Sequence, residues 1–238
     1  MKKVIVVPVK LNNERFPGKN IRCFSDGTPL ISVALNVLST ITGIDGYYVF
    51  CSHEAICQYI SPPFQFLKRP DYLDLPEATP QDIIRELLDR VDAEIYMFSH
   101  VTSPFVSKEH LEECICAVTS EGYDSAFTAH RIQKLLWQED CTPLNFNAEK
   151  VPRTQDLPPL FEEVSAAYVF RKSTFQRLNR RIGVDPKIVE VSDLEAIDID
   201  TRDDFVLAEA VYEKWLKSKK DGMEVQWTHN CSSEVSTQ

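Results

Sequence analysis

Apolar residues fill every position from 4 to 9 (VIVVPV) and then give way abruptly to a polar stretch over 10–20 (KLNNERFPGKN). An unbroken apolar run of this length predicts a strand buried on both faces, as in a parallel sheet. Further strand-like runs fall at 46–52, 94–99, 124–128 and 166–171, with a weaker one at 187–191. Between them the apolar spacing becomes helical. Ile83, Ile84, Leu87, Leu88 and Val91 share one face of a helix over 80–91. Ser107 is placed to cap a helix in which Leu111, Cys114, Ile115 and Val118 line up. Phe205, Ala208, Tyr212 and Trp215 form a stripe over 202–216. Strands alternating with helices predict an α/β fold, a mainly parallel sheet with helices on both faces.

Two stretches break this rhythm. Residues 130–160 are polar, carry Pro143, Pro152, Pro158 and Pro159, and have little periodicity. A stretch of that length is uncommon as an idle loop, so a lid, a small subdomain or an oligomerisation arm is expected there. Residues 217–238 are polar and aperiodic and are expected to fray, leaving 1–216 as a single domain.

Composition narrows the function classes. With 43% hydrophobic and 26% charged residues among 238, the chain reads as an ordinary globular protein. Its net charge of −10 argues against nucleic-acid binding, which needs a basic surface, but leaves room for a local basic pocket. The seven cysteines show no framework or zinc spacing and are expected to be reduced thiols of a cytoplasmic protein. The opening Met-Lys-Lys and six apolar residues are too short for a signal-peptide core, and no run has membrane-spanning length.

The loop after the first strand holds Lys10, Arg15 and Lys19 with Asn12, Asn13 and Asn20. At the carboxyl end of a strand in an open sheet, such a loop suits a polyanion such as a nucleotide phosphate, although a merely solvated loop has the same composition. Asp198 and Asp200 in AIDIDT project to one side of an extended segment. Two carboxylates there suit Mg²⁺ held jointly with substrate phosphates. The alternative is an exposed edge beside a helix start capped by Thr201, Asp203 and Asp204. Weaker candidates are His100 with Thr102 and Ser103 after the third strand, Lys68-Arg69-Pro70, and Arg153 with Gln155. No GxSxG elbow and no HExxH zinc spacing occurs.

Read in order, these pieces resemble the acylneuraminate cytidylyltransferase family. Pro17-Gly18-Lys19-Asn20 is similar to the end of its CTP-binding loop, and Lys68-Arg69-Pro70 to its Arg-Pro segment. Thr102-Ser103-Pro104, Gln155-Asp156-Leu157-Pro158, Ala167-Tyr168 and Ile197-Asp198-Ile199-Asp200-Thr201 complete the series. The resemblance implies a Rossmann-like nucleotidyltransferase domain that uses CTP and Mg²⁺ to attach CMP to an acidic sugar, releasing pyrophosphate. It implies that Lys10, Asn12, Asn13, Arg15, Lys19, Asn20 and Arg69 bind the nucleotide. Asp198 and Asp200 would hold the metal. His100, Thr102, Ser103, Arg153 and Gln155 would face the acceptor. Lys19, Asp198, Asp200 and His100 would be catalytic. Residues 130–160 would form the arm of a homodimer.

The departures from the family pattern fall mainly on the acceptor half. Lys10 stands for a family Arg, Asn13 for Ser and Glu14 for Lys, and Cys51-Ser52 lacks the Asp of a family Ser-Thr-Asp. His100 replaces Gln, and Asn-Gly is missing near Val164 and Ser165. These changes leave open a nonulosonic acid, a small phosphonate, or a non-catalytic relative that only binds nucleotide. A glycosyltransferase with a similar paired-Asp site is a further alternative. His100, ordinarily titrating near neutrality, is expected to meet an anionic acceptor or act as a general base.

Overall fold

A computed structural model describes residues 1–220, with side chains to Lys214. Seven strands form one sheet: β1 (Lys3–Val9), β2 (Gly46–Cys51), β3 (Phe64–Lys68), β4 (Ile95–Phe98), β5 (Ser125–Ile132), β6 (Leu160–Arg171) and β7 (Pro186–Val191), in the order β3-β2-β1-β4-β6-β5-β7. Five α-helices accompany them: α1 (Leu30–Leu38), α2 (Pro80–Arg90), α3 (Lys108–Thr119), α4 (Lys172–Leu178) and α5 (Arg202–Lys220).

The apolar run of β1 is buried on both sides. Ile5, Val7 and Val9 join a core with α1 and α3. Val4 and Val6 face the other way, into a core with α2 and Phe175 of α4. A one-residue slip would exchange the two sets, so the register is strongly specified. Thr79 starts α2 with a reciprocal capping box to Asp82 and with Pro80 in the first turn.

The mainly parallel expectation holds for the pairings of β1 with β2 and β4, of β2 with β3, and of β5 with β7. β6 is the exception, antiparallel to both β4 and β5. It is also twice the expected length. Beyond a register shift between Phe127 and Ala129, β5 and β6 continue together, flanked by β7 as far as His130, and only 131–132 with 160–161 form a two-stranded ribbon. The irregular arm is thus 133–159, shorter than expected, because 130–132 and residue 160 belong to these strands. Helix α5 runs to Lys220, so the start of the expected tail is helical, while 221–238 lie outside the described residues.

A third apolar cluster positions the site. Phe16 and Phe24 from the segment after β1 pack with Ile199, Phe205 and Tyr212 from the other end of the chain. Phe24 stacks on Phe205 at 5.1 Å and on Tyr212 at 4.2 Å, and Phe16 meets Phe205 edge-on at 5.9 Å. Such ring pairs contribute about 0.5–1.5 kcal/mol each beyond their burial. They tie the basic loop to the segment that carries the paired aspartates.

Candidate active site

The chain leaves β1 toward β2 and β3 on one side of the sheet and returns to β4 on the other. A crevice opens at such a switch point, beyond the carboxyl ends of the strands. A cavity of about 500 Å³ occupies it, lined by Lys10, Asn13, Arg15, Lys19 and Asn20 after β1 and by His100 and Thr102 after β4. Arg69 after β3, Ser165 of β6, and Asp198 and Asp200 complete its polar wall. Leu73, Pro76, Ala78, Pro80 and Ile83 give it an apolar side.

Gly18 adopts φ +69°, the left-handed conformation that favours glycine, and opens a 3-10 turn over Lys19–Ile21. That turn drops Lys19 and Asn20 into the interior, 8% and 5% exposed. Asn20 Nδ2 donates to the Lys10 carbonyl at 2.8 Å, closing the loop on itself. Lys19 Nζ donates to the Ile199 carbonyl at 2.8 Å and to Asp200 Oδ1 at 2.7 Å. Arg15 reaches Asp200 Oδ2 at 2.8 Å.

Asp198 and Asp200 do share one side of their segment, with Ile199 fully buried between them. The Ile199 N–H donates to the Thr102 carbonyl at 2.8 Å, and Ser103 Oγ donates weakly to Asp198 Oδ1 at 3.4 Å. Thr201 and Asp204 cap α5 reciprocally, and Asp204 also accepts from the Asp200 N–H at 3.1 Å. The capping reading is therefore right for Thr201 and Asp204, while Asp200 is gripped by two cations and is not an idle edge.

Behind this segment Glu195, 2% exposed, accepts from His110 Nδ1 at 2.7 Å, the Ser107 N–H at 2.9 Å and the Ser192 N–H and hydroxyl. Burial alone would raise its pKa, but His110 and the two amides outweigh burial and hold it at about 2. The hydrogen bond to Glu195 raises His110 against its own burial. This junction fixes the start of α3 against the approach to Asp198.

Several expected site residues are placed differently. His100 lines the cavity, but burial, with Arg181 and Lys19 adding to it, pulls its pKa down to about 4. It is a neutral imidazole near pH 7, not a cation for an anionic acceptor. Its N–H on the backbone donates to the Ser165 carbonyl at 3.1 Å. Arg153 and Gln155 do not line the cavity; Arg153 pairs with Asp156 at 2.7 Å, and both are exposed on the arm. Asn12 is exposed and outside the lining, and Ser103 is buried behind Asp198. Sequence reasoning missed Asp74, which accepts from Arg69 and from Ser52. No periodicity marks such a partner five residues away across a turn.

Among the described residues, four buried side-chain polar atoms lack a hydrogen-bond partner: Asn13 Oδ1, Asn20 Oδ1, Arg69 Nε and His100 Nε2. All four belong to residues lining this one cavity. Buried polar atoms are nearly always paired, so their concentration here marks a place built for a polar ligand.

The chain matches the model of a family described as cytidylyltransferase over residues 4–221. An N-acylneuraminate cytidylyltransferase of Streptococcus agalactiae serotype V is 24% identical over 218 residues, covering 87% of this chain and 52% of that protein. N-acylneuraminate cytidylyltransferase A of Danio rerio is 27% identical over 203 residues, covering 81% and 46%. The chain thus spans about half the length of the curated relatives it matches. A solved CMP:2-keto-3-deoxy-manno-octonic acid synthetase complexed with CTP superposes with a TM-score of 0.64 at 17% identity, covering 90% of this chain and 99% of that one. The 4-diphosphocytidyl-2C-methyl-D-erythritol synthase from Anaerococcus prevotii gives a TM-score of 0.64 at 14% identity, covering 89% and 96%. These two likenesses establish the Rossmann-like α/β fold.

Proposed function

The chain belongs to the cytidylyltransferase family, and on that premise we propose that it transfers CMP from CTP to a small acidic acceptor, a sialic acid-like sugar acid. The observation that carries this reading is the set of four unpartnered buried polar atoms in a cavity whose charged residues are a cluster of cations facing two carboxylates. An acceptor oxygen attacks the α-phosphorus and loses its proton. The bond from that phosphorus to the bridging oxygen breaks, and pyrophosphate leaves. Catalysis of phosphoryl transfer is largely positioning and neutralisation of charge. Lys10, Arg15 and Lys19 are the groups that hold the triphosphate. Asn13, Asn20 and Arg69 orient the nucleoside end. His100, neutral, offers Nε2 for a hydrogen bond with no change of charge.

Mg²⁺ fits the donor set. Asp198 is exposed to the cavity and makes one weak contact, and Asp200 lies beside it. Among the described residues no group of three or more His, Cys, Asp or Glu is placed to hold a metal, so phosphate oxygens must complete the shell. When bound, the ion supplies charge neutralisation at the phosphates. No helix in the described residues is long and apolar enough to cross a membrane.

We also propose a homodimer joined through the arm. Trp137, Leu144 and Val151 are 57%, 55% and 57% exposed there, and Phe161 of the ribbon adds a further exposed ring. Such a pairing gives exposed Arg153 and Gln155 a site to serve, that of the partner. The test of function is pyrophosphate release from CTP and Mg²⁺ with a panel of sugar acids and phosphonates. Turnover of a sugar acid supports the reading, whereas CTP binding without turnover of any acceptor replaces it with an idle nucleotide-binding relative. A monomer by light scattering at micromolar concentration would remove the dimer.

A further inference from the structure

In the reaction proposed above Lys10, Arg15 and Lys19 hold the triphosphate and Arg69 orients the nucleoside. His100 is neutral, and Arg153 stands exposed on the arm. An acidic acceptor therefore needs a further cation. A second cavity of about 250 Å³ adjoins the first, and Pro80 at the start of α2 is common to both linings. Its polar wall is Gln81, Glu163, Arg180 and Arg181, with Ile84 and Ile182 as the apolar part.

The local chain puts Arg181 there. Helix α4 ends at Asn179, which adopts φ 52°, the left-handed conformation that asparagine tolerates. Arg85 of α2 donates to Asn179 Oδ1 at 2.9 Å, holding this turn against the helix that walls both cavities. Arg180 gives Nη2 to the Gly183 carbonyl at 3.1 Å. Arg181 instead places its guanidinium carbon 3.5 Å from the centroid of the Tyr168 ring, and Tyr168 meets His100 edge-on at 6.4 Å. One buried ring thus stands between Arg181 and the wall of the first cavity. The charge of Arg181 is felt at His100 more strongly than that of Lys19.

The guanidinium is under-engaged. Among the described residues its side chain makes one hydrogen bond, to Glu163 Oε2 at 3.3 Å, where charge-assisted contacts ordinarily close to about 2.7–2.9 Å. The same Oε2 accepts from the Tyr168 hydroxyl at 2.9 Å. The Glu163 side chain is 49% exposed and that of Arg181 only 23%. Glu163 is therefore a carboxylate that water can take back, opposite a cation held by stacking on a buried ring.

We propose that Arg181 binds the anionic group of the acceptor, a carboxylate, and that Glu163 is the built-in carboxylate this group displaces. Arg181 is thereby a specificity-determining residue, supplied by the segment between α4 and β7. It favours an acid over its neutral ester, and Glu163 limits that preference by competing for the same guanidinium. This rests on the sugar-acid reading above.

The test is pyrophosphate release from CTP with N-acetylneuraminic acid and 2-keto-3-deoxy-manno-octonic acid, each as free acid and as methyl ester. The full chain is compared with Arg181→Gln and Glu163→Gln, with folding of each followed by thermal melting. For an acid that the wild type turns over, Arg181→Gln should raise KM by about ten- to hundredfold. KM for the ester and for CTP should stay within about twofold, whereas a merely structural role would weaken all three together. Glu163→Gln should lower KM for the acid several-fold, with no such gain for the ester. An acid KM unchanged in folded Arg181→Gln, or acid and ester weakened in parallel, overturns the proposal. If Arg181→Gln does not fold, Glu163→Gln decides, and an acid KM that fails to fall overturns it. A wild type that turns over neither acid overturns the sugar-acid reading itself and this proposal with it, a result visible before any variant is made.

Discussion

Lys19 Nζ and Asp200 Oδ1 lie 2.7 Å apart although 181 residues separate them in sequence. The contact joins the two halves of the site, the basic loop and the paired aspartates, and aromatic packing behind it holds both. Lys19 is nearly buried whereas Arg15, on the same carboxylate, is 70% exposed at its side chain. Exposed ion pairs contribute little. Lys19→Ala should therefore weaken CTP binding by about ten- to hundredfold, and Arg15→Ala by several-fold less, measured by calorimetric titration. Equal losses would show that burial does not rank these cations.

The two carboxylates are expected to differ in what they affect. Asp198→Asn should lower kcat on the order of 10²-fold with little effect on thermal stability, since its one contact is weak. Asp200→Asn should lower kcat similarly and also loosen the basic loop, seen as faster amide exchange over 15–20. Turnover that survives either change intact would remove that carboxylate from the chemistry.

His100 sets an acid limit on stability. Its folded pKa of about 4 lies below the unfolded value of 6.5, so the unfolded chain gains its proton first. Stability is full above about pH 6.5 and falls as pH drops toward 4, by roughly 3 kcal/mol in all. His100→Gln should flatten that part of the urea-denaturation profile between pH 4 and 6.5. The same variant should leave the pH–rate profile between pH 6 and 8 without a missing limb. A limb near 6.5 that vanishes with His100 would contradict a neutral imidazole.

Glu195 and His110 are expected to act in opposite directions. Glu195 is held at about 2, so its contribution is present above its ordinary value of 4.5 and is lost as pH falls toward 2. His110 is raised, so its contribution is complete below 6.5 and fades as pH climbs through the raised value. Glu195→Ala should cost about 3–5 kcal/mol, because it strands several buried donors. His110→Ala should cost less and should abolish the alkaline fade. Chemical denaturation across pH resolves the two.

What could be read without coordinates divides by physics. Apolar runs over β1, β2 and β4 identify themselves because both of their faces are covered. Direction is another matter: an apolar run reads the same either way, so the antiparallel setting of β6 was hidden. α1 escaped notice although LISVALNVL lies between two cores, because its polar face is narrow, only Ser32 and Asn36 with Ser39 at the cap, and no charged residue marks it. The site residues that could be named were those whose type implies a ligand, notably Lys19, Asn20, Asp198 and Asp200. Protonation and reach are properties of surroundings. Burial, which lowers the pKa of His100, and the course of the arm, which leaves Arg153 and Gln155 exposed outside this cavity, are set by residues distant in the chain and have no mark in the local sequence.

Strand β6 connects the arm to the cavity wall by an unbroken run of backbone. β6 is a single 12-residue strand, exposed at Leu160 and fully enclosed by Tyr168. Midway along it, the Ser165 carbonyl carries the backbone of His100, which forms part of the cavity wall. A substitution at Phe161 that shifts the outer end of this strand is expected to reach the wall at His100 through that one hydrogen bond, without any atom of the arm entering the cavity.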